Sequence, residues 1–462
     1  MRLHFDFLAI GGGSAGFNAA RAACRHSDRV AIVDGASALG GLCILRGCMP
    51  SKTLLHVADV LHQARQSAQL GLRIPEAAAD MPAVLARKRR IIGEFADFRR
   101  QQLEAGPFTL LRSHARFIGP NELTLNDGTH LTADRILIGT GSQVAWPAIP
   151  GLRESKPWTS DEVLELDFVP ESVIVLGGGV VACELAQYLA RIGARVIQIQ
   201  RARQLLKTAG PQASAAVARA LRADGVDLFT DTQLRRVSFD GSHFEALFEH
   251  QGRETLVRAR HCLNALGRTP NTSALGLDAA GIETFPGGRI RTDSFQRTTN
   301  PAVYAAGDCA GPHEIVHVAI QQAEVAVRHA FGLPAQPVDN DNTLSVVFTD
   351  PQLASVGLSR AHLAAAGRAF VEASYPFDDH GKSILMEAKI GQVEVWAAPG
   401  SGRLLGAEIV GPDAGELIHI FSVALAANLT ASDLLRAPWY HPTLAEILTY
   451  PLEELVEKCP TR

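Results

Sequence analysis

A strand, a glycine turn and a helix follow one another twice in this chain, and this repeated pattern constrains the fold more than any other feature. The first copy covers residues 5–24 and the second residues 172–192. Glycines at such a turn allow a tight backbone path and let a phosphate approach the helix N-terminus. A short apolar strand follows each helix, so each copy predicts a βαβ unit that binds a dinucleotide. The turn residues are Gly11, Gly13 and Gly16 in the first copy and Gly177, Gly179 and Ala182 in the second.

The residues that end the second strand of each unit predict which nucleotide is bound. Asp34 ends this strand in the first unit, where a carboxylate can accept hydrogen bonds from an adenosine ribose. The corresponding strand of the second unit is followed by Arg201 and Arg203, whose guanidinium groups can pair with a 2′-phosphate. The second site is therefore predicted to prefer NADPH. The alternative is that the two arginines form a solvated surface pair.

Composition excludes several classes of protein. The chain has 462 residues, of which 47% are hydrophobic and 20% charged, as expected for a globular protein of several domains. The 44 Lys and Arg against 48 Asp and Glu give a net charge of −4, which argues against a nucleic-acid or membrane-surface partner. No signal peptide is evident and the apolar runs are too short for a bilayer, so we expect a cytoplasmic protein. Seven cysteines, an odd number, do not suit a secreted disulfide framework.

The segment 40–52 carries two cysteines, Cys43 and Cys48, which are separated by four residues and flanked by glycines. This spacing allows a small disulfide loop. Pro50 suits the first turn of a helix, so Cys48 is predicted to lie just before a helix N-terminus, where the partial positive charge and Lys52 would stabilise its thiolate. A structural zinc site needs about four ligands, and no second cluster of Cys and His has suitable spacing. Two inert buried thiols are the other alternative to a redox pair.

These motifs together resemble the flavoprotein disulfide reductases, a family that includes dihydrolipoamide dehydrogenase, glutathione reductase and mercuric reductase. The resemblance covers essentially the full length. The cysteine segment is similar to the family pattern GG-T-C-x-N-x-GC-x-P-S-K, and it departs from it at Leu42 and Leu45. The resemblance implies a fold of the α/β class with two Rossmann-like domains, one for FAD and one for NAD(P), and a C-terminal α+β dimerisation domain. The expected boundaries are 1–150 and 276–338 for the FAD-binding domain, 151–275 for the NAD(P)-binding domain and 339–462 for the dimerisation domain.

The resemblance also implies roles for single residues. Cys48 is the flavin-proximal thiol and Cys43 the interchange thiol that attacks the substrate. Lys52 lies near flavin N5 and pairs with Glu184. Segments 138–142, 266–271 and 306–308 resemble the family's ATGS, GR-x-PN and AGD motifs. The implied FAD contacts are Gly11, Gly13, Ser14, Gly16, Asp34, Gly41, Thr140, Gly141 and Asp308, and the implied NADP contacts are Gly177, Gly179, Ala182, Arg201, Arg203 and Gly267.

Residues 440–446 resemble the family's HPT-x-x-E motif. A histidine suits proton transfer during thiol–disulfide exchange because its reference pKa lies near neutrality, and a carboxylate would fix its tautomer. The resemblance therefore implies that His441, oriented by Glu446, serves the cysteines of the other subunit of a homodimer. Without the other motifs, a histidine before a proline would usually mark only a helix start.

The predicted reaction passes electrons from NADPH through FAD to a Cys43–Cys48 disulfide and on to an external disulfide, either a small one or one of the lipoyl type. Dihydrolipoamide dehydrogenase, which is NAD-linked, and a mercuric-reductase-like enzyme are the alternatives. Mercuric reductases generally have a tyrosine where His441 stands and a cysteine pair near the C-terminus, whereas this chain has only Cys459 there. A flavin-binding regulatory subunit without turnover is a further alternative. Leu42, Leu45, Arg46 and Cys459 have no assigned role.

Overall fold

The computed structural model describes residues 2–459, whose α-helices and β-strands follow the order predicted at both βαβ units. Up to residue 145 the elements are β1 (Arg2–Ile10), α1 (Ser14–Ala23), β2 (Val30–Val33), α2 (Gly41–Arg46), α3 (Cys48–Gln66), α4 (Met81–Glu104), β3 (Thr109–Leu111), β4 (Ala115–Phe117), β5 (Glu122–Leu125), β6 (His130–Ile138) and β7 (Ser142–Val144).

The middle of the chain contains the second βαβ unit and an antiparallel sheet. Its elements are α5 (Ser160–Val163), β8 (Ser172–Leu176), α6 (Val180–Ile192), β9 (Arg195–Ile199), α7 (Pro211–Ala223), β10 (Asp227–Phe229), β11 (Thr232–Phe239), β12 (Phe244–His250), β13 (Arg253–Ala259), β14 (His261–Asn264), β15 (Arg268–Pro270), β16 (Val303–Ala305) and α8 (Val316–Ala330).

The C-terminal part alternates antiparallel strands with helices. Its elements are β17 (Leu344–Val347), β18 (Gln352–Gly357), α9 (Arg360–Ala365), β19 (Val371–Pro376), α10 (Gly381–Leu385), β20 (Gln392–Ala397), β21 (Leu404–Gly411), α11 (Ala414–Ala426), α12 (Ala431–Leu435) and α13 (Thr449–Lys458). Short 3₁₀ helices occupy Ser67–Leu70, Leu277–Ala280, Asn340–Asn342, Phe377–Asp379 and Leu444–Leu448.

The chain divides into two compact units. The first combines residues up to 53, 83–145 and 267–340, and the second combines 54–82, 146–266 and the residues from 341 onward. The predicted domain boundaries after residues 150, 275 and 338 are not decided by this division and stay predictions.

A seven-stranded sheet forms the centre of the first unit. Its order is β3-β2-β1-β6-β5-β4, and β16 pairs with β6. β1 runs parallel to β2 and β6, as a βαβ unit requires. Phe7 on β1 and Phe17 on α1 are buried in the same apolar core, to which α8 also contributes. Strand β1 therefore ends directly before the glycine turn that precedes α1.

Three sheets build the second unit. Strands β10-β9-β8-β14 form a parallel sheet, β11-β12-β13 an antiparallel one, and β17-β18-β21-β20-β19 a five-stranded antiparallel one. Helices α11 and α13 supply apolar residues to the core of the five-stranded sheet. The predicted α/β class is confirmed, with one mixed and one parallel sheet that each carry a glycine turn, and with a C-terminal α+β part. No helix between residues 2 and 459 is long and apolar enough to cross a bilayer.

Within the second unit, the Arg191 guanidinium is 3% exposed and forms ion pairs with three carboxylates. Its nitrogens lie 2.7 Å from Asp59 on α3, 2.9 Å from Asp224 after α7 and 2.9 Å from Asp350 before β18. Three chain segments that are distant in sequence thus share one buried cation. Removing that cation would leave the buried carboxylate of Asp224 uncompensated, which is strongly destabilising.

One local expectation was wrong by a single residue. Cys48 was predicted to lie just before a helix N-terminus, and it is the first residue of α3. The short helix α2, which contains Cys43, was not predicted.

Candidate functional site

The first glycine turn is built from close contacts that only glycine permits. Gly11 has φ +101°, and a Cβ there would lie 2.5 Å from the Gly139 carbonyl oxygen. A Cβ on Gly16 would lie 1.8 Å from the Gly11 carbonyl oxygen. The N-terminus of α1 has neither a side-chain cap nor an acidic residue in its first turn. Its N–H groups therefore fit a diphosphate, as the predicted FAD site requires.

Asp34 holds this turn in place. Its carboxylate accepts hydrogen bonds from the backbone N–H of Gly12, at 2.7 Å, and of Ala36, at 2.8 Å. The side chain is 8% exposed. The observed role is thus to fix the loop around the N-terminus of α1, and its predicted contact with a ribose stays a prediction.

The second glycine turn repeats this construction in the second unit. Gly177 has φ +124°, and a Cβ there would lie 2.3 Å from the Ala265 carbonyl oxygen. The N-terminus of α6 also lacks a side-chain cap and an acidic residue in its first turn. Arg201 is exposed, and Arg203 is exposed with its Nε 3.6 Å from Asp231. The turn fits a diphosphate, and both arginines lie on the surface beyond β9.

The two cysteines face each other across the junction of two helices. Cys43 lies within α2, and Cys48 is the first residue of α3. Both are thiols in this structure. A hydrogen bond between the two sulfurs, together with burial, raises the pKa of the Cys43 thiol, and the charge of Lys52 opposes this increase. The pair therefore has the proximity that thiol–disulfide exchange needs, and the proton is held at Cys43.

A tight turn joins the helices that carry the cysteines. A Cβ on Gly47 would lie 3.0 Å from the Leu42 carbonyl oxygen and 3.1 Å from the Cys43 Cα, so a larger residue would push α2 away from α3. The Leu45 side chain packs over Gly40, whose φ is +141°. Leu45, which departs from the family pattern, thus fills space beside the turn.

The dithiol segment rests directly on the first glycine turn. Gly41 has φ +75°, and a Cβ there would lie 2.8 Å from the Gly13 Cα. The two backbones therefore meet without an intervening side chain. This contact brings the start of α2, two residues before Cys43, against the N-terminus of α1.

A chain of side-chain hydrogen bonds links three of the predicted cofactor segments. Arg268 Nε donates to Ser142 Oγ at 2.7 Å, and Ser142 Oγ donates to Asp308 Oδ2 at 2.6 Å. Asp308 is thereby oriented by a residue, Ser142, that was not predicted as a site residue although it lies in a quoted motif. Asp308 and Thr140 remain predicted FAD contacts.

In the second unit, the side chains of His441 and Glu446 are hydrogen-bonded to each other, as predicted. His441 Nδ1 lies 2.9 Å from each carboxylate oxygen of Glu446, and the histidine side chain is 74% exposed whereas the glutamate side chain is 21% exposed. Because the Glu446 carboxylate is the hydrogen-bond acceptor, Nδ1 of His441 is the donor and carries a proton. Nε2, on the opposite edge of the ring, is therefore available to exchange protons.

Glu184 is buried on α6, where its carboxylate accepts a hydrogen bond from the Phe348 backbone N–H at 2.9 Å. Lys52 lies one turn after Cys48 on α3. Lys52 belongs to the first unit and Glu184 to the second, and their pairing stays a prediction.

His380 belongs to the surroundings of the His441–Glu446 pair but lies in no motif. It is 1% exposed, its Nδ1 lies 2.9 Å from Ser383 Oγ, and its ring meets that of Tyr450 edge-on at 6.3 Å. Burial lowers the pKa of His380, while the charge of Glu446 opposes this decrease. A single histidine outside a motif gives no sequence signal for such a position.

Comparisons with known proteins agree with this geometry. The family model "Pyridine nucleotide-disulphide oxidoreductase" matches residues 5–330, and the dimerisation domain of the same family matches residues 343–451. Mercuric reductase from Bacillus cereus is 32% identical over 443 residues, which cover 96% of this chain and 70% of that protein. The mitochondrial dihydrolipoyl dehydrogenase of Pisum sativum is 29% identical over 452 residues, covering 96% and 90%. The crystal structure of LpdA from Mycobacterium tuberculosis, 26% identical, superimposes with a TM-score of 0.87 over 97% of this chain and 99% of that one.

The contact between Gly41 and Gly13 predicts that one methyl group added at Gly41 disturbs flavin binding. We expect Gly41→Ala to lose most of its bound flavin on purification, because the added Cβ would separate the dithiol segment from the glycine turn. Absorbance of the purified protein at the flavin band, relative to protein, measures the loss.

Gly128→Ala is the matched control. Gly128 also has a positive φ, +80°, but a Cβ there would meet no atom within 4 Å. It therefore carries only the backbone strain, on the order of 1 kcal/mol, and should keep its flavin. Equal flavin contents in the two variants would contradict the proposed importance of the contact.

Proposed function

We propose a specific reaction for this chain, which belongs to the pyridine nucleotide-disulphide oxidoreductase family. The predicted family and the assignment as an oxidoreductase are confirmed by that membership. The family uses FAD and NAD(P)H, and the chain carries its dimerisation domain. The finer proposal is that a homodimer reduces a small external disulfide with NADPH. The alternative direction, oxidation of a dithiol by NAD⁺, would use the same residues.

The observation that carries this proposal is the hydrogen-bonded pair of Cys43 and Cys48 held against the first glycine turn. FAD, when bound at that turn, supplies the two-electron connection between the nicotinamide and the cysteine pair. The residues that would hold it are those of the turn and the segment of Asp308. The cysteine pair stores the two electrons as thiols until a substrate arrives.

The thiol chemistry then takes two exchanges. Cys43 attacks one sulfur of the external disulfide, forms a mixed disulfide and releases the first thiol. The Cys48 thiolate attacks the Cys43 sulfur, which forms the Cys43–Cys48 disulfide and releases the second thiol. One NADPH and one proton are consumed for two thiols formed, so electrons and protons balance.

His441, oriented by Glu446, transfers the protons in these exchanges. The raised pKa of the Cys43 thiol means that it must lose its proton to a base before it attacks. A neutral imidazole whose Nδ1 proton is held by a carboxylate has Nε2 as acceptor, and it can afterwards protonate the leaving thiolate. We propose that the histidine serves the cysteines of the other subunit.

We propose a preference for NADPH because of the positions of Arg201 and Arg203. Both lie just beyond the carboxyl end of β9, the strand that follows the helix of the second glycine turn, and both are exposed. A guanidinium group can pair with a 2′-phosphate, whereas NAD⁺-specific sites usually place a carboxylate at this strand end.

Mercuric ion reduction is the second candidate, because relatives such as that of Bacillus cereus carry this name. Cys459 is the only cysteine after Cys309, so the chain offers no C-terminal pair. Cys459 is 4% exposed and its sulfur donates to the Ala398 carbonyl oxygen at 3.8 Å. These observations favour disulfide reduction over transfer of a metal ion through C-terminal thiols.

Glu446→Gln tests the assigned proton transfer. We expect kcat/KM for disulfide reduction to fall roughly 10–100-fold, because the amide no longer fixes the tautomer or stabilises the imidazolium. The rate at which NADPH bleaches the flavin in the absence of disulfide should stay unchanged, since His441 acts only in the thiol exchanges. Stopped-flow spectroscopy separates the two half-reactions.

The exposed Glu453 on α13 provides a matched control, since Glu453→Gln removes the same charge nearby. It should leave both half-reactions unchanged. An equal loss in both half-reactions of Glu446→Gln, or none in either, would contradict the role proposed for the pair.

The double variant Arg201→Ala/Arg203→Ala tests the nucleotide preference. We expect kcat/KM to fall at least about tenfold with NADPH and to change little with NADH, because only the former has a phosphate for these arginines to bind. Arg195→Ala, which removes an exposed arginine at the start of β9, is the control. A wild-type protein that reacts faster with NADH would overturn the preference and favour dihydrolipoamide dehydrogenase.

A further inference from the structure

One polar residue from each strand of the five-stranded sheet in the second unit contributes to a continuous row. Adjacent members of the row lie directly opposite each other in the strand register: Ser345, Ser355, Glu408, Glu394 and Ser374. The residues next to them along the strands, such as Val393 and Ile409, belong to the apolar core that α11 and α13 cover. Because successive side chains of a strand point to opposite faces, the row lies on the face away from that core.

The start of helix α7 meets this row at Glu408. The two carboxylate oxygens of Glu408 accept from the backbone N–H of Gly210, at 3.0 and 3.1 Å. Gly210 is the N-cap residue of α7 and has no capping side chain of its own. A Cβ on Gly210 would lie 2.5 Å from Glu408 Oε1 and 3.4 Å from Glu394 Oε2. Two carboxyl groups of the sheet therefore converge on the first residue of one helix.

The same two carboxyl groups disfavour each other's charge. Glu408 is 8% exposed, and it lies directly across from Glu394 on the neighbouring strand. Burial raises the pKa of Glu408 to about 7, the hydrogen bond from Gly210 opposes this rise, and the charge of Glu394 adds to it. Burial also raises the pKa of Glu394. Near neutral pH the pair therefore holds a proton that two solvated glutamates would have lost.

The elements packed around Glu408 place no buried cation beside it. Glu394 and Glu408 are the only titratable side chains of β18, β20 and β21, all of which the structure describes completely. Helix α7 buries only Ala213, Ser214, Ala216, Val217, Ala220 and Leu221. Arg360 and Glu372, which act on Glu394 with opposite sign, are exposed and lie 3.1 Å apart. Protonation is thus the available way to neutralise Glu408.

The contact between Glu408 and Gly210 consequently depends on pH. Because the pKa of Glu408 is raised in this arrangement, the arrangement binds a proton more tightly than one in which water reaches the carboxyl group. The contribution of Glu408 is therefore fully present well below pH 7 and is lost as the pH rises through about 7. Ionisation favours separation of the start of α7 from the sheet.

The segment 201–210, which joins β9 to α7, connects this contact to the second glycine turn. It begins with the two exposed arginines for which we propose a contact with the 2′-phosphate. The Leu206 backbone N–H donates to the Gly178 carbonyl oxygen of the turn at 2.8 Å. Ser214 Oγ on α7 donates to the Leu205 carbonyl oxygen at 2.9 Å. A displacement of the start of α7 would therefore move the segment that carries the arginines.

We propose that Glu408 is a positioning residue for NADPH: when protonated it holds the segment 201–210 on the sheet, and its ionisation loosens that segment, so that NADPH binds more weakly above neutral pH than below it. The inference rests on the proposed preference for NADPH, because it needs the arginines to bind the 2′-phosphate. Glu394, which repels the ionised form of Glu408, determines the pH at which the change occurs.

The test measures the apparent Kd of NADPH in flavin bleaching by anaerobic stopped flow, with the flavin-loaded protein between pH 6.5 and 8.5. For the wild type, we expect this Kd to rise at least about threefold across the range, with a midpoint near pH 7. Glu408→Gln keeps a neutral acceptor for the Gly210 N–H at every pH, so its Kd should stay near the low-pH value of the wild type. The apparent Kd of NADH should change much less in either protein, because NADH has no 2′-phosphate.

Glu394→Gln separates this role from a merely structural one. Removal of the neighbouring charge lowers the pKa of Glu408, so the midpoint should move to lower pH while the low-pH Kd is kept. This variant also decides the matter if Glu408→Gln yields little folded protein. Glu254→Gln, which removes an exposed carboxylate of β13 in the same unit, is the control and should keep the wild-type profile.

The same pH dependence in the wild type and in Glu408→Gln would overturn the inference, and so would a midpoint that Glu394→Gln leaves in place. An equally large change for NADH would also overturn it, because the arginines would then not be involved. Each of these results leaves the proposed preference for NADPH standing. A wild-type protein that binds NADH more tightly than NADPH at every pH would instead contradict the proposed preference itself.

Discussion

The backbone contact between Gly41 and Gly13 organises the candidate site more than any other interaction. It requires a positive φ at Gly41 and the absence of a side chain, since a Cβ would lie 2.8 Å from the Gly13 Cα. On one side of the contact, the N-terminus of α1 presents N–H groups without a capping side chain. On the other side, α2 and α3 carry the two thiols. The predicted nucleotide site and the dithiol are thus fixed relative to each other by two glycines.

The position of each thiol then determines its chemistry. Cys48 begins α3, where the helix dipole favours negative charge, and is exposed. Cys43 is half-buried and its pKa is raised by the hydrogen bond to Cys48 and by burial. The raised pKa therefore disfavours ionisation of Cys43, whereas the position of Cys48 at a helix N-terminus favours a thiolate there. This asymmetry explains why the proposed cycle needs a proton acceptor for Cys43, a role for which the His441–Glu446 pair of the second unit has the appropriate chemistry.

Much of the fold follows from the sequence because it depends on local signals. The two βαβ units were predictable from apolar strands, glycine turns and alanine-rich helices, and strand β8 and helix α6 begin and end where the pattern indicates. The helix α2 was not, since its N-cap residue, Gly40, has no capping side chain. Ser142 and His380 were also not predictable as parts of the site. Each meets partners from segments far away in sequence, Arg268 and Asp308 for Ser142 and Tyr450 for His380.

An anaerobic titration with dithionite, which delivers electrons without using the nicotinamide site, tests the central claim that the cysteine pair relays electrons. We predict that full reduction of the flavin in the oxidised wild-type protein consumes about two two-electron equivalents per flavin, one for the Cys43–Cys48 disulfide and one for the flavin. The Cys43→Ser protein should consume only about one. A wild-type protein whose flavin is fully reduced by a single equivalent would show that the pair does not accept electrons, and would contradict the proposed reaction.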